Sequence, residues 1–130
     1  MGAGDAEADG RVLVYPATEA MGQCIETSYV QILSETLDID PDKIVIVQGD
    51  TDVAQGIGSM GSRSLYIGGS AMLTASKQTI EKGRAIAGDA CEAAGQDMRY
   101  RGGRFQGAGT GPGTGVVELA HAPPEKPSAQ

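Results

Sequence analysis

One short stretch carries groups able to hold a ligand. In "GSRS" (Gly61 to Ser64) Arg63 stands between two hydroxyls, just before a predicted helix. Glycines let backbone N–H groups come close to a ligand, and Ser62 and Ser64 add hydroxyl donors. Arg63 adds a cationic fork. A helix N-terminus adds unpaired N–H groups and a partial positive charge. Together these equip an anion site, one suited to phosphate. The plain alternative is a surface loop that only joins strand to helix. Its length argues against that, since compact domains seldom carry long structureless connections without a function.

Other chemistry is poorly supplied. Cys24 and Cys91 lie far apart with no CxxC, so two reduced thiols are expected, with Cys91 a small core residue. His121 is the only histidine, which leaves no Ser-His triad, Cys-His pair or multi-histidine metal site. "GIGSMG" (Gly56 to Gly61) matches GxGxxG, but "QGDTDVAQ" separates it from the preceding strand. A dinucleotide turn joins strand to helix almost at once and is followed by an acidic strand end about 20 residues on, whereas Glu81 falls inside a predicted helix. No Gly-Lys-Ser/Thr occurs, so a Walker loop is excluded as well.

The elements that must position these groups follow from periodicity. "RVLVY" (Arg11 to Tyr15) and "KIVIV" (Lys43 to Val47) read as strands, the second buried on both faces. Between them Ile25, Tyr29, Ile32, Leu33, Thr36 and Leu37 recur at helical spacing, and Pro41 ends that run. Strand, helix, strand is compatible with a crossover unit. A second helix is predicted from Leu65 to Ala94. Along it Gly68, Ala71, Met72, Ala75, Thr79, Gly83, Ala87, Ala90 and Ala94 form a stripe of small residues suited to close approach. "DMRYRGGRFQ" reads as a hairpin about Gly102-Gly103. The expected fold is α+β: a small sheet covered by two main helices, with a C-terminal hairpin and a disordered tail. Residues 1–9 are expected to be disordered, 10–106 to form the domain, and 107–130 to form a Gly/Pro-rich tail.

The chain has 130 residues, one domain's worth, with 40% hydrophobic residues but only 4% aromatic, so Val, Ile, Leu, Ala and Met must build the core. A net charge of −7 disfavours nucleic acid and anionic membrane as partners. No apolar run reaches the roughly 20 residues of a membrane span. The N-terminus has acids where a signal peptide needs bases, so a cytoplasmic protein is expected.

The segment "AMGQCIETSYVQILSETLDIDPDKIVIVQGDTDVAQGIGSMGSRSLYIGGSAM" (Ala20 to Met72) closely resembles the molybdenum-cofactor-binding large subunit of the xanthine dehydrogenase and aldehyde oxidase family. The branch that includes carbon monoxide dehydrogenase is the nearest in appearance. The shared pattern is an MGQG turn, a helix with E-T and Q-I pairs, a GDTD strand end, a GSRS glycine loop and a GGSA helix. It extends over about residues 10 to 106.

The resemblance implies a loop that cradles the pterin phosphates beside a molybdenum centre. Gly61 then approaches the metal's ligand sphere, and Ser62 and Ser64 contact phosphate with Arg63 between them. Gly22 and Gln23 match the turn whose glutamine hydrogen-bonds the cofactor. From the residues alone, Gln23 reads as a helix-entry turn residue. The implied cofactor is molybdopterin, in its cytosine dinucleotide form. The implied partners are the remaining parts of the large subunit and iron–sulfur and flavin subunits or domains.

Two departures accompany the resemblance. Cys24 stands where the family has the second glycine of GQG, and it does not match the copper-linked cysteine of carbon monoxide dehydrogenase, which lies on another loop. The family's catalytic glutamate lies further toward the C-terminus, and Glu118 in "VVELA" sits in a different context. The reading is therefore a cofactor-binding piece of a molybdenum hydroxylase, inactive by itself. A non-catalytic cofactor- or anion-binding module and an inactive remnant stay open as alternatives.

Overall fold

A computed structural model of the chain describes residues 3–6, 9–90, 97–107 and 113–120. Strand β1 (Ala3–Ala6) pairs antiparallel with β2 (Val12–Tyr15), and β2 pairs in parallel with β3 (Ile44–Ile46). The register sets Val12 beside Ile44 and Val14 beside Ile46, and Val47 N–H extends it by donating to Val14 O at 2.9 Å. Helix α1 (Ile25–Leu37) makes the crossover between the parallel strands. Its buried residues are Ile25, Tyr29, Leu33 and Leu37, the i, i+4 stripe expected of a helix with one face on a sheet. With Val14, Ile44 and Met72 they form the larger core cluster.

Helix α2 (Ser64–Ala90) lies across α1 and reaches a second sheet. That sheet contains β4 (Met98–Arg101), β5 (Arg104–Gly107) and β6 (Thr114–Gly115), followed by the short helix α3 (Val116–Ala120). Gly102 and Gly103 both have positive φ, 58° and 67°, the backbone a two-residue hairpin turn needs to match strand twist. Met98, Ala87 and Phe105 form the second cluster. Phe105, the only phenylalanine, is fully buried and lies so close to α2 that a Cβ on Gly83 would come within 2.4 Å of its ring.

The α+β class holds, with strands, helices and hairpin where the sequence predicts them. Four details are corrected. Ala3–Ala6 belong to the sheet rather than to a disordered leader: backbone pairing with β2 holds them, and backbone pairing gives little signal in "AGDA". Within the expected tail, Thr114–Gly115 and Val116–Ala120 are regular, with Val116 and Leu119 packed on the second cluster. Glu118 accounts for this order, because its carboxylate accepts the Gly115 N–H at 2.9 Å, the reach-back of a capping box. Strand β3 buries Ile44 fully but Val45 and Ile46 only in part. Finally, the buried face of α2 runs through Gly69, Met72, Ser76, Gly83 and Ala87, so Ala71, Ala75 and Thr79 of the small-residue stripe face outward. Cys91, Ala94, His121 and most of the tail lie outside the described residues.

Candidate functional site

Residues 47–63 connect β3 to α2 without regular structure and are mostly exposed. This is not the immediate strand-to-helix turn of a dinucleotide fold. Two clasps pin the connection to the segment between β2 and α1. At one end Gln48 Nε2 donates to Thr18 O at 2.8 Å. Further along, Ser59 Oγ accepts from Glu19 N–H at 3.0 Å and donates to Glu19 O at 2.6 Å. Gly56 lies so close to Ala17 that a Cβ there would come within 2.3 Å of the Ala17 methyl. Glycine at 56 therefore lets the loop fold back on Ala17.

This fold-back encloses a cavity of about 270 Å³. Ala17 and Thr18 form one wall, Gly56, Ile57 and Gly58 another, and Arg63, Ser64 and Ile67 close it from α2. Gly61 and Ser62 bring the chain to the helix with left-handed backbone, φ 61° and 54°. Nothing lies within 4 Å of a Cβ built on Gly61, so within this chain conformation, not crowding, calls for glycine there. Ile67 N–H donates to Arg63 O at 2.9 Å, which makes Arg63 the N-cap. An arginine has no side-chain oxygen to cap with. The first-turn amides of Ser64, Leu65 and Tyr66 have no carbonyl of their own helix to meet. Among the described residues, the Arg63 guanidinium has no carboxylate partner.

The Gln23 turn stands next to this loop. Gln23 Nε2 donates to Glu19 O at 3.1 Å, the same carbonyl that Ser59 reaches, and Gln23 Oε1 accepts from Met21 N–H. Gly22 and Cys24 on either side have positive φ, 84° and 56°. The Gln23 turn is thus tied through Glu19 to the loop at Ser59, two residues before Gly61. Gln23 spends one amide hydrogen and one lone pair on its own turn. One of each remains.

A further set of residues has no sequence signal. Tyr29, fully buried on α1, donates its hydroxyl to Ser64 O at 2.9 Å and meets Thr18 Oγ1 at 2.8 Å. Gln48 Nε2 lies 3.4 Å from the same Thr18 oxygen. Gln48, Thr18, Tyr29 and Ser64 therefore form one line of hydrogen bonds from the end of β3 to the start of α2. Only the hydroxyl of a tyrosine on an apolar stripe, which must find a partner when buried, hints at it.

The donor set suits a phosphate group. Uncapped amides, Ser64 and a guanidinium with no carboxylate partner among the described residues stand together at a cavity, with Ser62 close by along the chain, in a protein of net charge −7. Among the described residues no group of His, Cys, Asp or Glu could hold a metal ion by itself.

A family model described as a molybdopterin cofactor-binding domain matches residues 5–128. The chain is 38% identical over 114 residues to the gamma subunit of the 6-hydroxypseudooxynicotine dehydrogenase complex of Paenarthrobacter nicotinovorans, covering 87% of this chain and 14% of that one. It is 36% identical over 98 residues to the carbon monoxide dehydrogenase large chain of Afipia carboxidovorans, covering 75% of this chain and 12% of that one. The crystal structure of a copper- and molybdenum-containing carbon monoxide dehydrogenase superposes with a TM-score of 0.79 at 31% identity, over 91% of this chain and 15% of that one. Quinoline 2-oxidoreductase from Pseudomonas putida gives 0.74 at 27% identity, over 92% of this chain and 15% of that one. The chain thus spans a small part of its relatives' length, and within that part it belongs to the molybdopterin cofactor-binding domain family of xanthine dehydrogenase-type subunits, of the kind found in carbon monoxide dehydrogenase.

Proposed function

We propose that this chain supplies the phosphate-holding side of the molybdopterin site in a molybdenum hydroxylase of the aldehyde-, xanthine- or carbon monoxide-oxidising type. The observation that carries the proposal is Arg63. It is a cation without a carboxylate partner among the described residues, held at an uncapped helix N-terminus beside a cavity. Arg63 and the amides of Ser64, Leu65 and Tyr66 hold phosphate, and Ser62 and Ser64 add hydroxyl donors. Gln23 contributes its remaining N–H and lone pair. The cofactor is read as the cytosine dinucleotide form of molybdopterin, and when bound it supplies the two-electron redox chemistry. This chain's residues bind and orient it.

The rest of the large subunit and iron–sulfur and flavin partners complete the enzyme on this reading, in the cytoplasm. No helix among the described residues is long and apolar enough to cross a membrane. The test is to replace Ser62 and Ser64 by Ala in the complete enzyme and count molybdenum per protomer. Each lost hydroxyl-to-phosphate bond is expected to cost about 1.5–3 kcal/mol of cofactor binding. Unchanged metal content in the double variant defeats the phosphate assignment.

A further inference from the structure

We propose that Tyr29 is a positioning residue that acts through Ser64, holding the first turn of α2 against the cavity where phosphate is read to bind. The inference rests on the phosphate reading for its ligand, but its geometry stands apart from it. Tyr29 has no exposed surface, and it makes two hydrogen bonds through one oxygen. A phenol has a single proton, and that proton goes to Ser64 O. Thr18 must therefore donate to Tyr29, and Gln48 Nε2 stands behind Thr18. Every donor in the line points toward α2.

Packing leaves the ring little freedom. A Cβ on Gly68 would come within 2.1 Å of the Tyr29 hydroxyl and 2.7 Å of Cζ, so the ring lies directly against the backbone of α2 one turn after Ser64. Burial of the ring alone would need no hydroxyl. The hydroxyl's work is at Ser64, the residue that also lines the cavity. Thr18, the other end of the tyrosine's reach, lines the same cavity from the segment between β2 and α1. One phenol oxygen thus sets the spacing between the two walls, and with it the position of the amides that meet the anion.

The test uses the full chain with pyrophosphate as probe, and compares Tyr29→Phe, Thr18→Val and Thr18→Ser with the parent. Amide hydrogen exchange at Ile67, whose N–H makes the first bond of α2, is followed without the probe. Exchange there is expected to rise about 3- to 10-fold in Tyr29→Phe and Thr18→Val, with pyrophosphate affinity falling by a similar factor, the worth of one hydrogen bond. Thr18→Ser, which keeps the hydroxyl, restores both. Thr18→Val leaves the ring in place and decides the matter if Tyr29→Phe does not fold. Exchange that rises evenly over the whole chain, or stays unchanged at Ile67, overturns the positioning role. Arg63→Ala separates the two readings. If the parent binds no pyrophosphate, or Arg63→Ala binds it equally well, the phosphate reading fails, while exchange at Ile67 still judges Tyr29. If Arg63→Ala weakens binding and Tyr29→Phe does not, Tyr29 has no part in it.

Discussion

Cys24 is an L-residue in a backbone conformation that favours glycine, with φ 56° and no capping bond from its side chain. It is exposed, so its Cβ meets no crowding from this chain. The cost is conformational, on the order of 1 kcal/mol for a non-glycine residue held there. Glycine is a serviceable N-cap but loses more freedom on folding. Cys24→Gly is therefore expected to raise stability by about 0.5–1 kcal/mol in urea denaturation, and an unchanged or lower midpoint contradicts this account. From their residue types alone Ser62, Arg63 and Ser64 were legible in sequence as donors at a helix start, while Gln23 and Gly61 were legible only through the family resemblance. Thr18, Tyr29 and Gln48 were not, since three-dimensional packing assembles their line of bonds from four separate elements. The same holds for Ser59, whose partner, Glu19, lies 40 residues away in sequence.

Neighbouring glycines of α2 answer differently to the same change. Gly68→Ala puts a methyl into the Tyr29 hydroxyl and Cζ, atoms of a ring that cannot swing away. It is expected to destabilise by about 1–3 kcal/mol despite alanine's better helix propensity. Gly69→Ala meets the Cδ1 tip of Ile32 at 3.0 Å and that of Leu65 at an ordinary 3.6 Å, beside an open groove into which the flexible Ile32 tip can give the few tenths of an ångström needed. Here propensity decides, and a gain of up to about 1 kcal/mol is expected. Thermal melts of the pair should move in opposite directions. The existence of α2 was easy to read, but its buried face was not, because Ala and Gly occur on every side and size gives no amphipathic signal. At the other sheet, Tyr100 donates to Leu37 O at 2.6 Å and docks the β4–β5 hairpin on the end of α1. Burial, aided by the charge of Asp38, pushes the Tyr100 phenol up from 10.0 to about 12. The folded state thus holds this proton more tightly than the unfolded chain. Stability from this source is intact below pH 10 and is lost as pH rises toward 12. Tyr100→Phe should remove that alkaline limb from a pH–stability curve; an identical limb in the variant means another group causes it.

As a whole the molecule carries apolar surface that its own core does not use. Leu65, Tyr66, Ile67, Leu73 and Ile86 of α2 are exposed, Tyr66 by 79%, and a groove of about 340 Å³ runs between α1 and α2. Such a face seeks burial. In the relatives this region is a small part of a longer chain, and the proposal is that the rest of the subunit covers it. The isolated 130-residue chain is accordingly expected to self-associate as concentration rises, visible in sedimentation velocity, and Tyr66→Lys with Leu73→Lys should keep it monomeric. Given cofactor, these 130 residues are expected to reduce no dye with aldehyde, purine or carbon monoxide, since on the proposed reading the rest of the subunit completes the site. Cofactor-dependent turnover would contradict that. The paired clasps on the β3–α2 connection have one more consequence, for tolerance of length. Residues 49–53 lie between the two clasps, are exposed, and bond locally, as in Ala54 N–H to Asp50 O at 3.1 Å. Ser59 isolates whatever happens there from the helix start. Extra residues spliced between Thr51 and Asp52 lengthen a tether whose closure cost grows only by about 0.6 kcal/mol per doubling. The same splice between Met60 and Gly61 falls between the Ser59 clasp and α2 and should unseat Arg63. The loop can thus change length at its tip without disturbing the start of α2 at its base.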